Sequence, residues 1–311
     1  MSIRIAPHEN PKLGALHVRW LLAASIALAA CHPGNEEAKR LRSSCQSGDV
    51  SACNRLAVRL QKGEYVLRDE GHAAELFDQA CKGGVGESCS SLGVAYQKGT
   101  GVKRDSTRAF TLLGQGCEGG AMNGCTRLGV LYRQGAGVTA DIARATTLFQ
   151  RACNGGDMSG CANLASLYAA GTGVPQDFAR AADLAQRSCT AKVALGCLEL
   201  GRLHAAGTGV ARNDSTAATL FDRACEGRET AGCVQYAVVL EAGLGVTQNF
   251  SRAAELYREA CEDRYGEACA RLAAMYDRGA GVRRQPERAV VFRKRACDYG
   301  FAESCVKPKG A

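Results

Sequence analysis

A pair of cysteines recurs along this chain with an unchanging period of 36 residues, and this repeat limits the possible folds more than any other feature. The two cysteines of each pair are eight positions apart. The first cysteines are Cys45, Cys81, Cys117, Cys153, Cys189, Cys225, Cys261 and Cys297, and the second are Cys53, Cys89, Cys125, Cys161, Cys197, Cys233, Cys269 and Cys305. Such self-similarity predicts a solenoid, in which each unit buries its apolar face against its neighbours.

Each row of the repeat carries an apolar stripe after its second cysteine. In the third row Cys125, Leu128, Gly129 and Tyr132 fall at i, i+3, i+4 and i+7, which is one face of a helix. The small residue at i+4 allows a partner helix to approach closely. A glycine such as Gly135 then ends this helix, which we call helix A, because glycine accepts the left-handed conformation of a C-cap.

A second helix, helix B, follows a G-x-G-V loop that is present in six of seven rows. Its predicted N-cap residues are Asp69, Asp105, Asp141, Asp177, Asn213 and Asn249, with Gln285 and Pro286 in the last row. The chain is therefore predicted to be all-α, with helix A, loop and helix B repeated seven times. Residues 35–45 resemble a leading helix B, and Cys305 with Pro308 a shortened last helix A, so that both act as caps.

The N-terminus looks like a targeting segment. Basic residues precede the apolar run from Trp20 to Ala30, which is too short to span a bilayer. The run ends in Leu-Ala-Ala-Cys31 and resembles the lipobox of bacterial lipoproteins, which implies cleavage before Cys31 and its lipidation. A plain secretory signal is the alternative. The predicted divisions are a signal peptide (1–30), an anchor segment with an N-terminal cap (31–44), the solenoid (45–305) and a tail (306–311).

Composition restricts the partners. With 311 residues, 46% of them hydrophobic, the chain can bury a sizeable core. The formal net charge is +8, but basic residues are scattered and form no run longer than short pairs. This distribution is typical of a solvated surface, so we expect no nucleic-acid partner.

The motif of residues 128–152, LGVLYRQGAGVTADIARATTLFQRA, resembles the Sel1-like repeat, a relative of the tetratricopeptide repeat. With a cysteine pair in every row, the chain is similar to the Helicobacter cysteine-rich proteins, which are secreted Sel1-like solenoids with one disulfide in each repeat. The resemblance implies a right-handed α/α superhelix of 36-residue repeats that serves as a binding scaffold. It also implies an alternative, penicillin binding with slow β-lactam hydrolysis, that is, a β-lactamase.

The cysteines allow a metal, a redox or a structural interpretation. Zinc sites need closely spaced cysteine and histidine ligands, and only His72 and His204 lie inside the array, so no metal or cofactor is expected. A C-x-x-C motif is absent. Exported cysteines oxidise, and two regular pairings are open: partners eight apart, or 28 apart between rows. The longer scheme leaves Cys45 and Cys305 unpaired, which favours the local pairs at the joint between helix B and the next helix A.

The sequence assigns no catalytic residue. A serine β-lactamase needs an S-x-x-K motif with two supporting motifs, yet the only S-x-x-K joins Ser304 to Lys307 at the C-terminus and neither other motif occurs. His204 takes the place of a tyrosine in a core stripe, which favours a packed histidine over a general base. Enzymatic activity is therefore left undecided.

By resemblance to tetratricopeptide repeats, helix A lines a concave groove through positions one, five, eight and nine after each second cysteine. The predicted groove residues are Asn54, Val58, Lys62, Val94, Gln97, Lys98, Thr126, Val130, Arg133, Gln134, Leu198, Arg202, Val234, Val238 and Glu241. Such a groove is basic and rich in amides at its N-terminal end and small and apolar centrally. It suits a protein, an extended peptide or a peptidoglycan-type cell-wall fragment. The alternative is that these are ordinary surface residues.

The expected location is the bacterial cell envelope, with a lipid anchor at the outer membrane, cell surface or periplasm, or the extracellular medium if the lipobox is not used.

Overall fold

The computed structural model describes residues 33–305, and its regular structure in that range consists of fifteen α-helices and one short 3₁₀ turn, Ala302–Cys305. In chain order the helices are α1 (Pro33–Gln46), α2 (Val50–Lys62), α3 (Glu70–Lys82), α4 (Gly86–Lys98), α5 (Ser106–Glu118), α6 (Met122–Gln134), α7 (Ile142–Asn154), α8 (Met158–Ala170), α9 (Phe178–Thr190), α10 (Ala194–Ala206), α11 (Asp214–Glu226), α12 (Thr230–Ala242), α13 (Phe250–Glu262), α14 (Gly266–Arg278) and α15 (Pro286–Asp298). The even-numbered helices are the predicted A helices and the odd-numbered ones the B helices. The predicted signal peptide, Cys31 and the tail lie outside the described residues.

The chain divides into two compact units, Met1–Ala121 and Met122–Ala311. Unit 1 contains α1 to α5, and unit 2 contains α6 to α15 with the 3₁₀ turn. Within each unit, consecutive helices pack against one another. In unit 2 the A helices also meet directly: α8 contacts α6 and α10, and α10 contacts α12. No helix of residues 33–305 is both long and apolar enough to cross a membrane.

The predicted starts of the B helices are confirmed. The carboxylate of Asp69 accepts a 2.9 Å hydrogen bond from the backbone N–H of His72. The same side-chain cap forms at Asp105, Asp141, Asp177, Asn213 and Asn249. Gln285 makes no such bond, and Pro286 instead begins α15. Each cap supplies a partner for an amide that the first helical turn leaves free.

The predicted ends of the A helices are confirmed as well. Every A helix is followed by a glycine at positive φ, as at Gly207, whose φ is 70° and whose N–H donates to the carbonyl of Leu203. The expected close packing of the A and B helices also occurs. A Cβ added at Gly201 on α10 would lie 2.7 Å from the ring of Phe221 on α11, whose side chain is fully buried. Only a residue without a side chain fits against that ring.

Disulfide pairing follows the local scheme, and the longer pairing between rows is excluded. Cys189 lies in the last turn of α9, Cys197 in the first turn of α10, and their Cα atoms are 4.5 Å apart. The other bonded pairs with the same spacing are Cys45–Cys53, Cys81–Cys89, Cys153–Cys161, Cys225–Cys233, Cys261–Cys269 and Cys297–Cys305. Cys117 and Cys125 are disulfide-bonded too. The fold is an all-α solenoid with a disulfide at each repeat joint, as predicted; its right-handed sense stays a prediction.

Candidate functional site

The A helices share an exposed stripe, which we call the A-helix surface. It consists of the residues two, five, eight and nine positions after each second cysteine, which share one helical face, and all of them are exposed or half-buried except Asn163 and Glu199. In unit 2 the contacts among α6, α8, α10 and α12 bring four of these stripes side by side. The result is a continuous surface across the turns of the solenoid, which is the kind of surface that helical-repeat proteins use for binding.

Most of the predicted groove residues reach solvent. The exposed or half-buried ones are Asn54, Val58, Lys62, Val94, Gln97, Lys98, Val130, Arg133, Gln134, Arg202, Val238 and Glu241. The prediction is wrong for Thr126, Leu198 and Val234, because 6%, 1% and 0% of these residues is exposed. All three stand directly after a second cysteine. A ligand on the A-helix surface cannot reach their side chains.

The position directly after the second cysteine faces the next A helix along the array, which buries Thr126 and leaves Asn54 half-buried. The hydroxyl of Thr126 on α6 donates a 2.6 Å hydrogen bond to Asp157, which caps the start of α8. In unit 1 the equivalent Asn54 on α2 accepts a 2.8 Å bond from the hydroxyl of Ser88 on α4. This position therefore joins one A helix to the first turn of the next, and its role is structural.

Sequence reasoning missed the position two after each second cysteine. Its residues are Arg55, Ser91, Arg127, Asn163, Glu199, Gln235 and Arg271. All seven are polar, and Arg55 and Arg127 are exposed. The signal that identifies them is their i, i+3, i+7 spacing with the positions five and nine after the cysteine, which are half-buried or exposed on each helix.

Charge is distributed unevenly over the A-helix surface. In unit 1 the cations Arg55, Lys62 and Lys98 accompany the amides of Gln61 and Gln97. In the middle of unit 2 the outer positions of α8 and α10 carry Ala169, Ala170, Ala205 and Ala206. Cations and amides therefore lie on the surface of unit 1, and small side chains lie on the surface in the middle of unit 2.

Two carboxylates on this surface have fixed partners. Glu199 on α10 is 7% exposed, and the guanidinium of Arg202 donates a 3.0 Å hydrogen bond to it. Glu241 on α12 accepts a 2.6 Å hydrogen bond from Arg278 of α14 and a 3.0 Å bond from the hydroxyl of Tyr257. Burial, together with the nearby Glu241 charge, raises the pKa of the Tyr257 hydroxyl well above its ordinary value. The two pairs hold these side chains in place on the face of the array.

A separate set of clefts lies between neighbouring B helices. One of them, between α3 and α5 in unit 1, has a volume of about 1030 Å³, with the Cys81–Cys89 disulfide, Leu92 and Tyr96 among its lining residues. The guanidinium of Arg108 donates a 3.0 Å hydrogen bond to the Tyr96 hydroxyl at this cleft. Charges of both signs line it, so it defines no single ligand chemistry.

The residues considered for catalysis are far from forming a site. Ser304 lies in the 3₁₀ turn, and Lys307 lies outside the described residues. His204 is half-buried, and its Nδ1 is 3.1 Å from the backbone carbonyl oxygen of Ala211. This contact does not link His204 to another titratable side chain. No residue within 33–305 is therefore assigned to β-lactam chemistry.

These features define a class of protein, the disulfide-stapled helical-repeat scaffold. The Sel1 repeat family model matches seven consecutive segments, 50–85, 86–120, 123–157, 159–193, 194–228, 230–265 and 266–300. The chain belongs to the Sel1 repeat family. No curated protein matches it.

Several solved structures are similar to this chain. A protective antigen of uropathogenic Escherichia coli with an SLR fold is 28% identical, with a TM-score of 0.58 over 85% of this chain, which spans 57% of that protein's length. A Sel1 repeat protein from Oxalobacter formigenes is 23% identical, with a TM-score of 0.58 over 86% of this chain and 77% of that one. Cysteine-rich protein B of Helicobacter pylori is 24% identical over 42% of this chain and 93% of that one, with a TM-score of 0.34.

Proposed function

We propose that the protein binds a protein or an extended peptide on its A-helix surface. One observation carries the proposal: four adjacent A helices of unit 2 contact in series, and each has exposed or half-buried residues at positions five, eight and nine after its second cysteine. A ligand laid across them meets a regular succession of side chains. Repeat scaffolds of this kind generally serve protein interaction, and their long open surfaces suit an extended partner.

The chemistry of the surface favours a peptide over a small compact ligand. The middle of unit 2 offers small side chains, among them Ala170 and Ala206, against which a peptide backbone can lie closely. Arg127 and Gln134 on α6 and Arg278 on α14 flank this stretch with hydrogen-bond donors. A peptidoglycan fragment shares the extended shape and the amides of a peptide, and belongs to the same proposal.

We place this binding in the bacterial cell envelope. Disulfides persist in oxidising compartments, and the disulfide-bonded cysteines indicate a chain that folds outside the cytosol. Residues 1–30 serve as the signal peptide in this proposal, and a lipid on Cys31 anchors the mature chain to a membrane.

Site-specific photo-crosslinking in cells tests the binding surface. A photoreactive phenylalanine analogue replaces Ala170 on α8 or Gln134 on α6, both exposed and outside the core. We expect discrete cross-linked species from both positions after irradiation, because a bound partner lies within reach of the probe.

The matched control places the same analogue at Thr219 on α11, an exposed position on a B helix. We expect little cross-linking there. Equal products from Thr219 and Ala170, or products from Thr219 alone, would show that binding does not select the A-helix surface and would overturn the proposal.

A further inference from the structure

The loop between α2 and α3 differs from the six loops that follow it. Its sequence is Gly63-Glu64-Tyr65-Val66-Leu67, whereas each later loop has glycine at the position of Tyr65. The position of Leu67 is occupied in the later loops by Lys103, Thr139, Pro175, Ala211, Thr247 and Arg283. One loop therefore gains both an aromatic and a large aliphatic residue at positions that the repeat otherwise fills with other types.

Tyr65 holds this loop against the beginning of α1. It adopts a φ of 60°, a conformation that costs an L-residue about 1 kcal/mol. Its ring lies directly on Gly34, since a Cβ at Gly34 would be 2.4 Å from the ring. The guanidinium of Arg59 stacks on the ring at 5.5 Å and pairs with Glu37 of α1 at 2.6 Å. The loop and the first turn of α1 thus form one packed corner.

Leu67 projects from the same corner into solvent. It is 91% exposed, the highest value among the large hydrophobic side chains of residues 33–305. Tyr65 is itself 53% exposed despite its contact with Gly34. The neighbouring cations are matched by carboxylates, because Arg68 pairs with Glu70 and Lys62 lies 3.5 Å from Glu64. The tip is therefore apolar with little net charge around it.

The proposed lipid anchor lies close to this tip in the sequence. Cys31 precedes Gly34 by three residues in the sequence, and three residues of fully extended chain span at most about 11 Å. A lipid on Cys31 brings the bilayer to the corner that Tyr65 and Leu67 occupy. Leucine gains free energy on entering the acyl region, and tyrosine favours the interface, where its hydroxyl stays hydrated.

We propose that the Tyr65–Leu67 loop inserts into the membrane surface next to the acylated N-terminus and fixes the orientation of the solenoid relative to the bilayer. This inference rests on the proposed lipid anchor at Cys31. Two attachments at one corner restrict the rotation of the array about a single flexible linker. The acyl chains supply the anchoring, and the loop supplies the orientation.

Tryptophan fluorescence tests the loop directly. The sequence has a single tryptophan, Trp20, which lies in the predicted leader, so the mature chain has none. The Leu67→Trp variant of the full acylated protein is reconstituted in vesicles of phosphatidylethanolamine and phosphatidylglycerol. We expect its emission to shift to shorter wavelength relative to the same variant in solution, and to be quenched when the lipids carry bromine.

The matched control is Val291→Trp on α15, where the native side chain is 51% exposed. Its emission should show neither the shift nor the quenching. Acylated protein whose Leu67→Trp emission is unchanged in vesicles would overturn the inference while leaving the anchor intact. A shift without quenching would mean that protein, such as a second copy, covers Leu67, and it would also overturn the inference.

Mass analysis of the N-terminal peptide separates the two levels of the proposal. Acyl groups on Cys31 support the anchor on which the loop inference depends. Their absence would overturn the anchor, and the membrane contact of the loop with it, whatever the outcome of the cross-linking at Ala170.

Discussion

The hydroxyl of Tyr257 on α13 donates a 3.0 Å hydrogen bond to Glu241 on the A-helix surface. Tyr257 is fully buried, at a position where three other rows carry Phe77, Phe149 and Phe221. The hydroxyl is thus a local addition to an aromatic core position. It links a buried residue of a B helix to Glu241, a carboxylate on the A-helix surface where a ligand is proposed to bind.

Replacing Tyr257 by phenylalanine should destabilise the protein although the ring is retained. A hydrogen bond to a charged acceptor contributes about 1.5 kcal/mol or more, and Glu241 would lose it. The Arg278→Gln variant is the comparison: its guanidinium also donates to Glu241, but 59% of that side chain is exposed. An exposed ion pair is worth about 0.5 kcal/mol. Urea unfolding should rank Tyr257→Phe as the more damaging change, and the reverse order would contradict this.

Tyr257 should also make stability fall at alkaline pH. Burial raises the pKa of its hydroxyl in the folded protein above the ordinary value of 10.0, with Glu241 adding to the effect. The unfolded chain releases this proton first, so the contribution is complete below pH 10.0 and is lost as the pH rises above it. The difference in ultraviolet absorbance between the unaltered chain and the Tyr257→Phe variant should show this tyrosine ionising above its ordinary pKa of 10.0. Phenylalanine at position 257 should flatten the alkaline loss of stability; an unchanged slope would contradict the assignment.

The repeat made the helix boundaries predictable, because each boundary has its own local chemistry. Asp69 caps a helix through its own side chain, and Gly207 ends one through its own backbone. The A-helix surface was less predictable, since one helical face had to be chosen by analogy. That choice was offset by about one residue, which placed the buried Thr126 on the surface instead of the exposed Arg127. The Tyr257–Glu241 contact joins separate helices, and no local pattern encodes it.

The disulfides should differ in how readily they are reduced. Cys225 and Cys233 are both half-buried and line a cleft between α11 and α13, whereas Cys189 and Cys197 are buried. Because thiol exchange requires access to a sulfur atom, a mild reductant should open Cys225–Cys233 before Cys189–Cys197. Alkylation followed by peptide mass mapping measures the order. Earlier labelling of Cys189 or Cys197 would show that solvent exposure does not determine the order in which the disulfides are reduced.

Removing one buried staple should cost measurable stability. The Cys189→Ser/Cys197→Ser double variant opens a nine-residue ring, and loop entropy gives a loss of about 2.5 kcal/mol. The protein should still fold, because the neighbouring repeats retain their own packing and disulfides. Thermal or urea unfolding compared with the unaltered chain gives the value, and a variant as stable as the parent would show that the staple does not constrain the unfolded state.

Two loop glycines of unit 2 separate the effect of conformation from that of packing. Gly209 has a φ of 72°, and a Cβ there would lie 2.2 Å from the carbonyl oxygen of Phe178. Gly156 has a φ of 90° but no atom within 4 Å of such a Cβ. Alanine at either position should cost about 1 kcal/mol from the left-handed conformation. Gly209→Ala should cost about 1–3 kcal/mol more, because backbone must move. Equal losses of unfolding free energy in urea would mean that the backbone around Gly209 moves to accept the added Cβ at no energetic cost.

Lipidation at Cys31 should decide where the protein resides. In the Cys31→Ser variant the acceptor thiol is gone, so we expect the chain to leave the membrane fraction and to lack acyl mass. Leu67→Ser is the matched control, since it removes apolar surface from the neighbouring loop and keeps the acceptor cysteine. It should remain membrane-bound, because acyl chains contribute far more burial than one leucine side chain. Fractionation of cells measures both. Membrane retention of Cys31→Ser would show that something other than the acyl group holds the protein there.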